Sequence, residues 1–256
     1  MTPNTLMQRM KRCADDARTL MTYGNGYSSL RYFVNSIFRR RMPQRVTLAG
    51  ESIIIRSKTH DLEVALSCLR DGEFAPAISA SKSRHRLIVD AGGYIGTAAI
   101  AFARAFPDST VVTLEPSTTN FPLLAENVRP YKNIVPLQKA LSNRDGQIEL
   151  FDRKTGDWGF TTIKQANESG SVIECISVPT LLKSLNRTGI DILKLDIEGG
   201  EKPLLESNTE WLDNVDLVIA ELHERIAAGC TDIFYAATNS MREVFCGGEK
   251  IMVVRH

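Results

Sequence analysis

The 256-residue sequence predicts an α/β fold: a mainly parallel sheet, an antiparallel C-terminal strand, and an N-terminal extension of helix and hairpin. Three observations predict it. From Arg86 onward, short apolar runs alternate with amphipathic stretches, the pattern of repeated strand–helix units. Acidic residues close three of these runs, at Asp90, Glu115 and Asp196. The last two runs, Arg242–Cys246 and Lys250–Val254, are split by Gly247-Gly248, as in a closing hairpin.

Residues 1–42 read as one or two helices, broken at Gly24-Asn25-Gly26 and ended by Pro43. Val46-Thr-Leu and Ser52-Ile-Ile-Ile flank Ala49-Gly50-Glu51, so residues 45–56 read as a hairpin. Residues 61–71 carry Leu62, Val64, Ala65, Leu66 and Leu69 on one broad helical face. Leu87–Ala91 is a buried strand followed by a helix through Phe106. Thr110–Glu115 and Asn133–Leu137 are the next strands, with a helix over 118–128 between them. Gln147–Phe151 and Ser171–Val178 look like an inserted β pair. Asp191–Asp196 and Val215–Glu221 complete the core strands, and right-handed crossovers imply helices on both faces. The expected division is an extension over 1–85 and a main domain over 86–256, with a β insert around 147–178.

The apolar fraction of 43% is enough for a sizeable core. No apolar run reaches eighteen residues, so no transmembrane helix is expected, and the N-terminus lacks the apolar region of a secretory leader. The five cysteines are scattered and form no C-x-x-C pair, which argues against a disulfide framework or structural zinc and for a reducing cytoplasm. Residues 1–45 hold nine Lys/Arg against two Asp/Glu, leaving 22 against 28 downstream. That acidic balance does not support a nucleic-acid substrate. The basic segment Arg31–Arg41 has apolar residues at helical spacing and is expected to pack on the domain. Peripheral contact with an anionic membrane surface or a protein partner is the alternative, and a homo-oligomer is left open.

Open parallel sheets bind ligands outside the carboxyl ends of their strands, where Asp90, Glu115 and Asp196 fall. Gly92 and Gly96 flank the turn after the first strand. A dinucleotide loop starting at Gly92 would need glycine where Tyr94 and Thr97 stand, and there is no Gly-Lys-Ser/Thr phosphate loop. An acidic residue followed by glycines two and six positions later suits S-adenosylmethionine (SAM), which carries no pyrophosphate. Glu115, ending the second strand, is placed to accept hydrogen bonds from the ribose hydroxyls.

Val89-Asp-Ala-Gly-Gly-Tyr-Ile-Gly-Thr, Thr113-Leu-Glu-Pro, Lys139-Ala-Leu-Ser-Asn and Asp191-Ile-Leu-Lys-Leu-Asp-Ile-Glu-Gly-Gly-Glu201 together resemble the FkbM-like methyltransferase family, over about residues 52–225. Asp196-x-Glu198-Gly199-x-Glu201 is the most specific part, and Lys58-Thr-His-Asp61 looks like the family's Thr-Ser-Asp stretch. The resemblance implies a Rossmann-like class I methyltransferase sheet, SAM as cofactor, and methyl transfer to a hydroxyl of a sugar, polyketide or related metabolite. It implies cofactor contacts from Asp90, Gly92, Tyr94, Gly96, Glu115, Ala140, Asp196, Thr59 and Asp61. Tyr94 stands where the family usually has Asn, so an amide contact to the cofactor is replaced by a ring.

SAM brings the electrophile, so the protein must place the acceptor and receive its proton. Asp196 and Glu198 follow the fourth strand, Glu221 and His223 the fifth. Residues two apart in extended chain share a side, so each pair can point into one pocket. His223 is the preferred base, taken as a neutral imidazole, with the carboxylates placing cofactor and acceptor. The same four residues could hold a hard divalent cation, a less favoured reading. Glu201 reads as a first-turn glutamate suited to the helix dipole. Lys194, within its strand, is expected to pair with a buried carboxylate. Trp158 and Phe160, in the polar segment 152–162, suit a sugar-like acceptor. The sequence thus points to O-methylation, with N-methylation of a small amine or a SAM-binding scaffold without turnover as alternatives.

Overall fold

The computed structural model describes residues 14–16, 18–24, 26–38, 42–164, 170–247 and 250–255. The reading of residues 1–13 and of the arginines at 39–41 lies outside them. The centre is a seven-stranded sheet in the order β12-β13-β11-β10-β3-β4-β5. Its parallel core is β3 (Leu87–Ala91), β4 (Thr110–Leu114), β5 (Ile134–Leu137), β10 (Ile192–Leu195) and β11 (Leu217–Glu221). β13 (Lys250–Val254) runs antiparallel to β11, and β12 (Arg242–Gly247) antiparallel to β13, so the closing hairpin lies at one sheet edge. Every residue of β3 and β10 is buried, as expected for strands covered on both faces.

Alternation along β3 divides the core. Ile88 packs with the helices Asp61–Leu69 and Thr97–Ala105, while Leu87 and Val89 join the cluster that includes Leu181, Leu204 and Phe234 on the opposite face. β1 (Pro43–Leu48) and β2 (Glu51–Arg56) form the expected hairpin around Ala49-Gly50. Val46, Leu48, Ile53 and Ile55 share the Ile88 cluster, as do Leu20 and Tyr32, the latter from the helix Gly26–Phe38. The extension therefore completes one face of the sheet. Asn127 holds it there: its Oδ1 accepts the Ile54 amide at 2.6 Å, and its Nδ2 donates to the carbonyls of Ile54 and Ile95.

The insert contains the anticipated antiparallel pair, β7 (Gly146–Asp152) with β9 (Ser171–Ser177). Two short strands were not anticipated: β6 (Ala140–Ser142), parallel to β9, and β8 (Phe160–Thr161), antiparallel to β7. Strands of two or three residues are too short to leave a periodic signal. Among the described residues no helix is long and apolar enough to cross a membrane.

Candidate active site

The carboxyl ends of β3, β4 and β10 converge. Register places Lys194 of β10 beside Asp90 of β3, and Asp90 beside Thr113 of β4. Lys194 Nζ lies 3.1 Å from Asp90 Oδ1, and Thr113 donates to Asp90 Oδ2 at 2.8 Å. Burial opposes the charge on Lys194, but Asp90 and Asp196 outweigh it and hold the ammonium above its ordinary pKa. Lys194 also donates to the Gly92 carbonyl at 3.0 Å, bracing the turn after β3. A Cβ on Gly92 would stand 1.8 Å from the carbonyl oxygen of Asp196, and its φ is +84°. Only glycine lets these two strand ends approach so closely.

Glu115 follows β4 and is 5% exposed. Its Oε2 accepts the Tyr94 amide at 2.8 Å and its Oε1 the Ser117 amide at 2.9 Å. Burial pushes its carboxyl up to about 7, against the pull of those two amides. A cleft of about 630 Å³, open mouth included, is lined by Gly92, Tyr94, Glu115, Ala140, Phe160 and Asp196 among others. Tyr94 has a φ of 52°, a left-handed conformation that Asn tolerates better than Tyr. Its hydroxyl donates to Asp61, and the Arg56 guanidinium lies 5.4 Å from its ring centre. Asp61 is fully buried and takes three further bonds from Arg56, at 2.7–2.9 Å.

A second cleft adjoins the first. Gly92, Tyr94, Trp158, Asp196 and Glu198 line both, and Glu221, Arg225 and Lys250 lie only on the second. At this junction His223 is 1% exposed. Its Nδ1 lies 3.1 Å from Glu201 Oε1. Its Nε2 faces Glu198 Oε1 at 3.7 Å, and Asp196 Oδ1 and Glu221 Oε1 at 3.8 Å each. Burial would lower the imidazole's pKa; the Glu201 bond and the surrounding carboxylates outweigh it and raise it to about 9. That direction favours the protonated imidazole, whereas the sequence reading takes it as neutral. Burial raises Glu198 to about 6, offset in part by His223 and Arg153. Burial and then Asp196 raise Glu221.

The insert folds over the junction. Arg153 pairs with Glu198 Oε2 at 3.1 Å, Thr161 donates to the Glu198 carbonyl at 2.5 Å, and Asn120 donates to the Asp157 carbonyl at 2.8 Å. Trp158 stacks on His60 with ring centres 3.7 Å apart. Trp158 and Phe160 thus stand in the cleft walls, as does Ala140.

The structure brings Gly92, Tyr94, Glu115, Asp196, Glu198 and Glu221 to the walls of the two clefts, while Asp90 and His223 are buried behind them and line neither. Gly96 has a φ of +88° and precedes the helix Thr97–Ala105, making room for Val128 behind the turn. Thr59 and Asp61 line neither cleft; Thr59 accepts the Asp61 amide, and Asp61 sits behind Tyr94 as its anchor. Glu201 does stand in a helix first turn, as expected, but its contact with His223 was not foreseen. It is fully buried, and besides meeting His223 it accepts the amides of Ile197 and Gly199 at 2.8 Å each. The Gly199-Gly200 pair before it was the available signal of a turn needing an internal acceptor. Arg56 and Asn120 were also missed, because neither belongs to a periodic pattern.

Residues 90–246 match the methyltransferase FkbM domain family. The hexuronic acid methyltransferase AglP of Haloferax volcanii is 32% identical over 136 residues, covering 52% of this chain and 54% of that protein. A protein named methyltransferase 1, from Beauveria bassiana, is 25% identical over 158 residues, covering 53% of this chain and 64% of its own. The chain thus spans less than two thirds of the length of these curated relatives. Among solved structures, it is similar to the O-methyltransferase TomG of Streptomyces achromogenes in complex with SAM, with a TM-score of 0.44 at 13% identity over 76% of this chain and 89% of that one. The O-methyltransferase of Bacillus cereus aligns with a TM-score of 0.39 at 15% identity, over 72% and 78% of the two chains.

Proposed function

The chain belongs to the methyltransferase FkbM domain family, and from that premise we propose that it methylates a hydroxyl of a sugar, glycan or related metabolite, using SAM. The observation that carries this reading is the junction itself: a cleft walled by the buried carboxylate of Glu115 adjoins a second cleft lined by Asp196, Glu198 and Glu221, with His223 between them. The residues present suit the cofactor. Glu115 retains lone pairs for both ribose hydroxyls beyond the two amides it accepts. Leu114, Ala140 and Leu141 offer an apolar wall to the adenine. SAM supplies a methyl group electrophilic enough to need no further activation.

The protein's own task is to place and deprotonate the acceptor. Asp196 and Glu198 stand on both clefts, so they can meet an acceptor beside the cofactor's methionine end. The cluster receives the hydroxyl proton as the carbon–oxygen bond forms, a contribution typically of about 10²–10⁴-fold. His223, buried behind these carboxylates, positions them. Trp158, on both walls, presents a ring face to a sugar and covers the junction. The Haloferax relative is named for a hexuronic acid, which supports a sugar acid as the first acceptor to try. The test incubates the chain with labelled SAM and a panel of uronic acids and neutral glycosides, then locates the methyl by mass spectrometry. Methyl ethers with matching S-adenosylhomocysteine are expected. A chain that binds SAM yet releases no S-adenosylhomocysteine with any hydroxylated acceptor would overturn the reading.

A further inference from the structure

We propose that Asp196, Glu221 and His223 bind one hard divalent cation of the Mg²⁺ or Mn²⁺ type, which holds and acidifies the acceptor hydroxyl. The inference rests on the methyltransferase reading above and adds a metal to that site.

Each of the three residues offers a ligand atom, and these atoms all lie within 4.8 Å of one another. Bonds of about 2.1 Å to an octahedral cation place opposite ligands about 4.2 Å apart and adjacent ones closer. The spacing of 3.8 Å from Nε2 to Asp196 Oδ1 and to Glu221 Oε1 falls inside that span. The same spacing is too long for a hydrogen bond. Nε2 of a side chain only 1% exposed thus faces three carboxylate oxygens at ion-pair rather than hydrogen-bond distance.

The outer oxygens face Lys194, Lys250 and Arg153, and the inner ones face the imidazole. Lys194 lies 3.5 Å from Asp196 Oδ2, Lys250 3.6 Å from Glu221 Oε2, and Arg153 3.1 Å from Glu198 Oε2. In every case the other oxygen, Oδ1 or Oε1, is the one turned toward His223. The lysines do not neutralise the cluster, because Lys194 also serves Asp90 and Lys250 also serves Glu73. Buried negative charge is left that a dication would balance.

Behind the imidazole, Glu201 meets Nδ1 at 3.1 Å and is itself held by two amides. A carboxylate on the far nitrogen, fixing ring and tautomer, is the recurrent support of a metal-bound histidine, and the cation takes the place of the Nε2 proton, which is released to solvent. Oxygen-rich ligands with one imidazole suit Mg²⁺ or Mn²⁺, and three protein ligands leave positions open toward the second cleft. The acceptor hydroxyl takes one of them. Its O–H bond then breaks with the proton passing to Glu198, the carboxylate left out of the ligand set. The oxygen's electron pair forms the bond to the methyl carbon, and the carbon–sulfur pair leaves on S-adenosylhomocysteine.

The full chain, stripped with EDTA and desalted, is titrated with Mn²⁺, and free Mn²⁺ is read by its electron paramagnetic resonance signal. SAM affinity is measured by calorimetry on the same stripped protein. The expected result is one Mn²⁺ per chain, weakened at least about tenfold by His223→Ala and by Glu221→Gln. Glu221 is partly exposed, so Glu221→Gln keeps the test valid if loss of His223 unfolds the chain; circular dichroism checks both variants. SAM binding without Mn²⁺ binding by the wild-type chain, or equal Mn²⁺ affinity in folded Glu221→Gln, would overturn the cation and leave the methyltransferase reading standing. Failure of the stripped wild type to bind SAM would instead strike the reading on which the proposal rests.

Discussion

Glu201 and His223 form a buried pair in which one carboxylate sets both the plane of the imidazole and the turn that carries Asp196 and Glu198. Oε1 meets Nδ1 at 3.1 Å, and the two oxygens also accept the amides of Ile197 and Gly199. Glu201→Gln turns one acceptor into a donor facing these groups. Leaving a buried partner unsatisfied costs about 1–3 kcal/mol. We expect a melting temperature lower by several degrees and a kcat reduced about 10–100-fold, with a smaller change in SAM affinity. Thermal melts and steady-state kinetics on the same preparation check it; an unchanged kcat would remove Glu201 from the support of the site.

On the proposed reading, Glu115→Ala removes charge-assisted bonds to the ribose, each worth about 1.5–3 kcal/mol. SAM affinity is expected to fall at least about tenfold in a chain that remains folded, as measured by calorimetry. A folded variant with wild-type affinity would exclude Glu115 from the cofactor site.

The same residue predicts a pH dependence. Burial raises its carboxyl to about 7, and the ionised form is the better acceptor for the ribose diol. Binding should therefore weaken as pH falls through 7, with the dissociation constant about tenfold higher at pH 6 than at pH 8. Titrations across this range decide it: a flat profile would mean that the cofactor does not engage the carboxylate.

Gly92→Ala forces a Cβ against the Asp196 carbonyl at a φ of +84°. The left-handed conformation costs about 1–2 kcal/mol and overpacking about 1–3 kcal/mol more. We expect a markedly lower melting temperature and loss of SAM binding together. Wild-type stability would show that the two strand ends can separate.

Tyr94→Phe keeps the ring beneath Arg56 and deletes the hydroxyl that donates to Asp61. A bond to a charged acceptor is worth about 1.5–3 kcal/mol, so the melting temperature should drop by several degrees. SAM affinity should change less than in Glu115→Ala, because the Tyr94 amide that meets Glu115 is retained. Calorimetric melts and SAM titrations separate the two effects.

The sheet was legible because its strands are short, mostly apolar runs, and four of the five parallel ones carry a carboxylate at or just past their carboxyl ends: Asp90, Glu115, Asp196 and Glu221. The gathering of Asp196, Glu198, Glu221 and His223 was legible too, since parallel strand ends meet by topology. The protonation of His223 was not. It depends on Glu201, Glu198 and Asp196 together, hence on distances that spacing along the chain does not encode. The place of Asp61 was hidden for a related reason. A carboxylate beside a turn looks ready for a ligand, and only the fold shows that Arg56 and Tyr94 already occupy it.

Where a Cβ on Gly92 would stand, the carbonyl oxygen of Asp196 already stands. Main chain meets main chain there, so the approach of these two strand ends depends on the absence of a side chain at Gly92. The groups that would shape an acceptor, such as Glu63, Ser67 and Arg225 on the second cleft's wall, belong to other segments. Substitutions on that wall can therefore reshape the second cleft without moving the contact between the β3 and β10 ends.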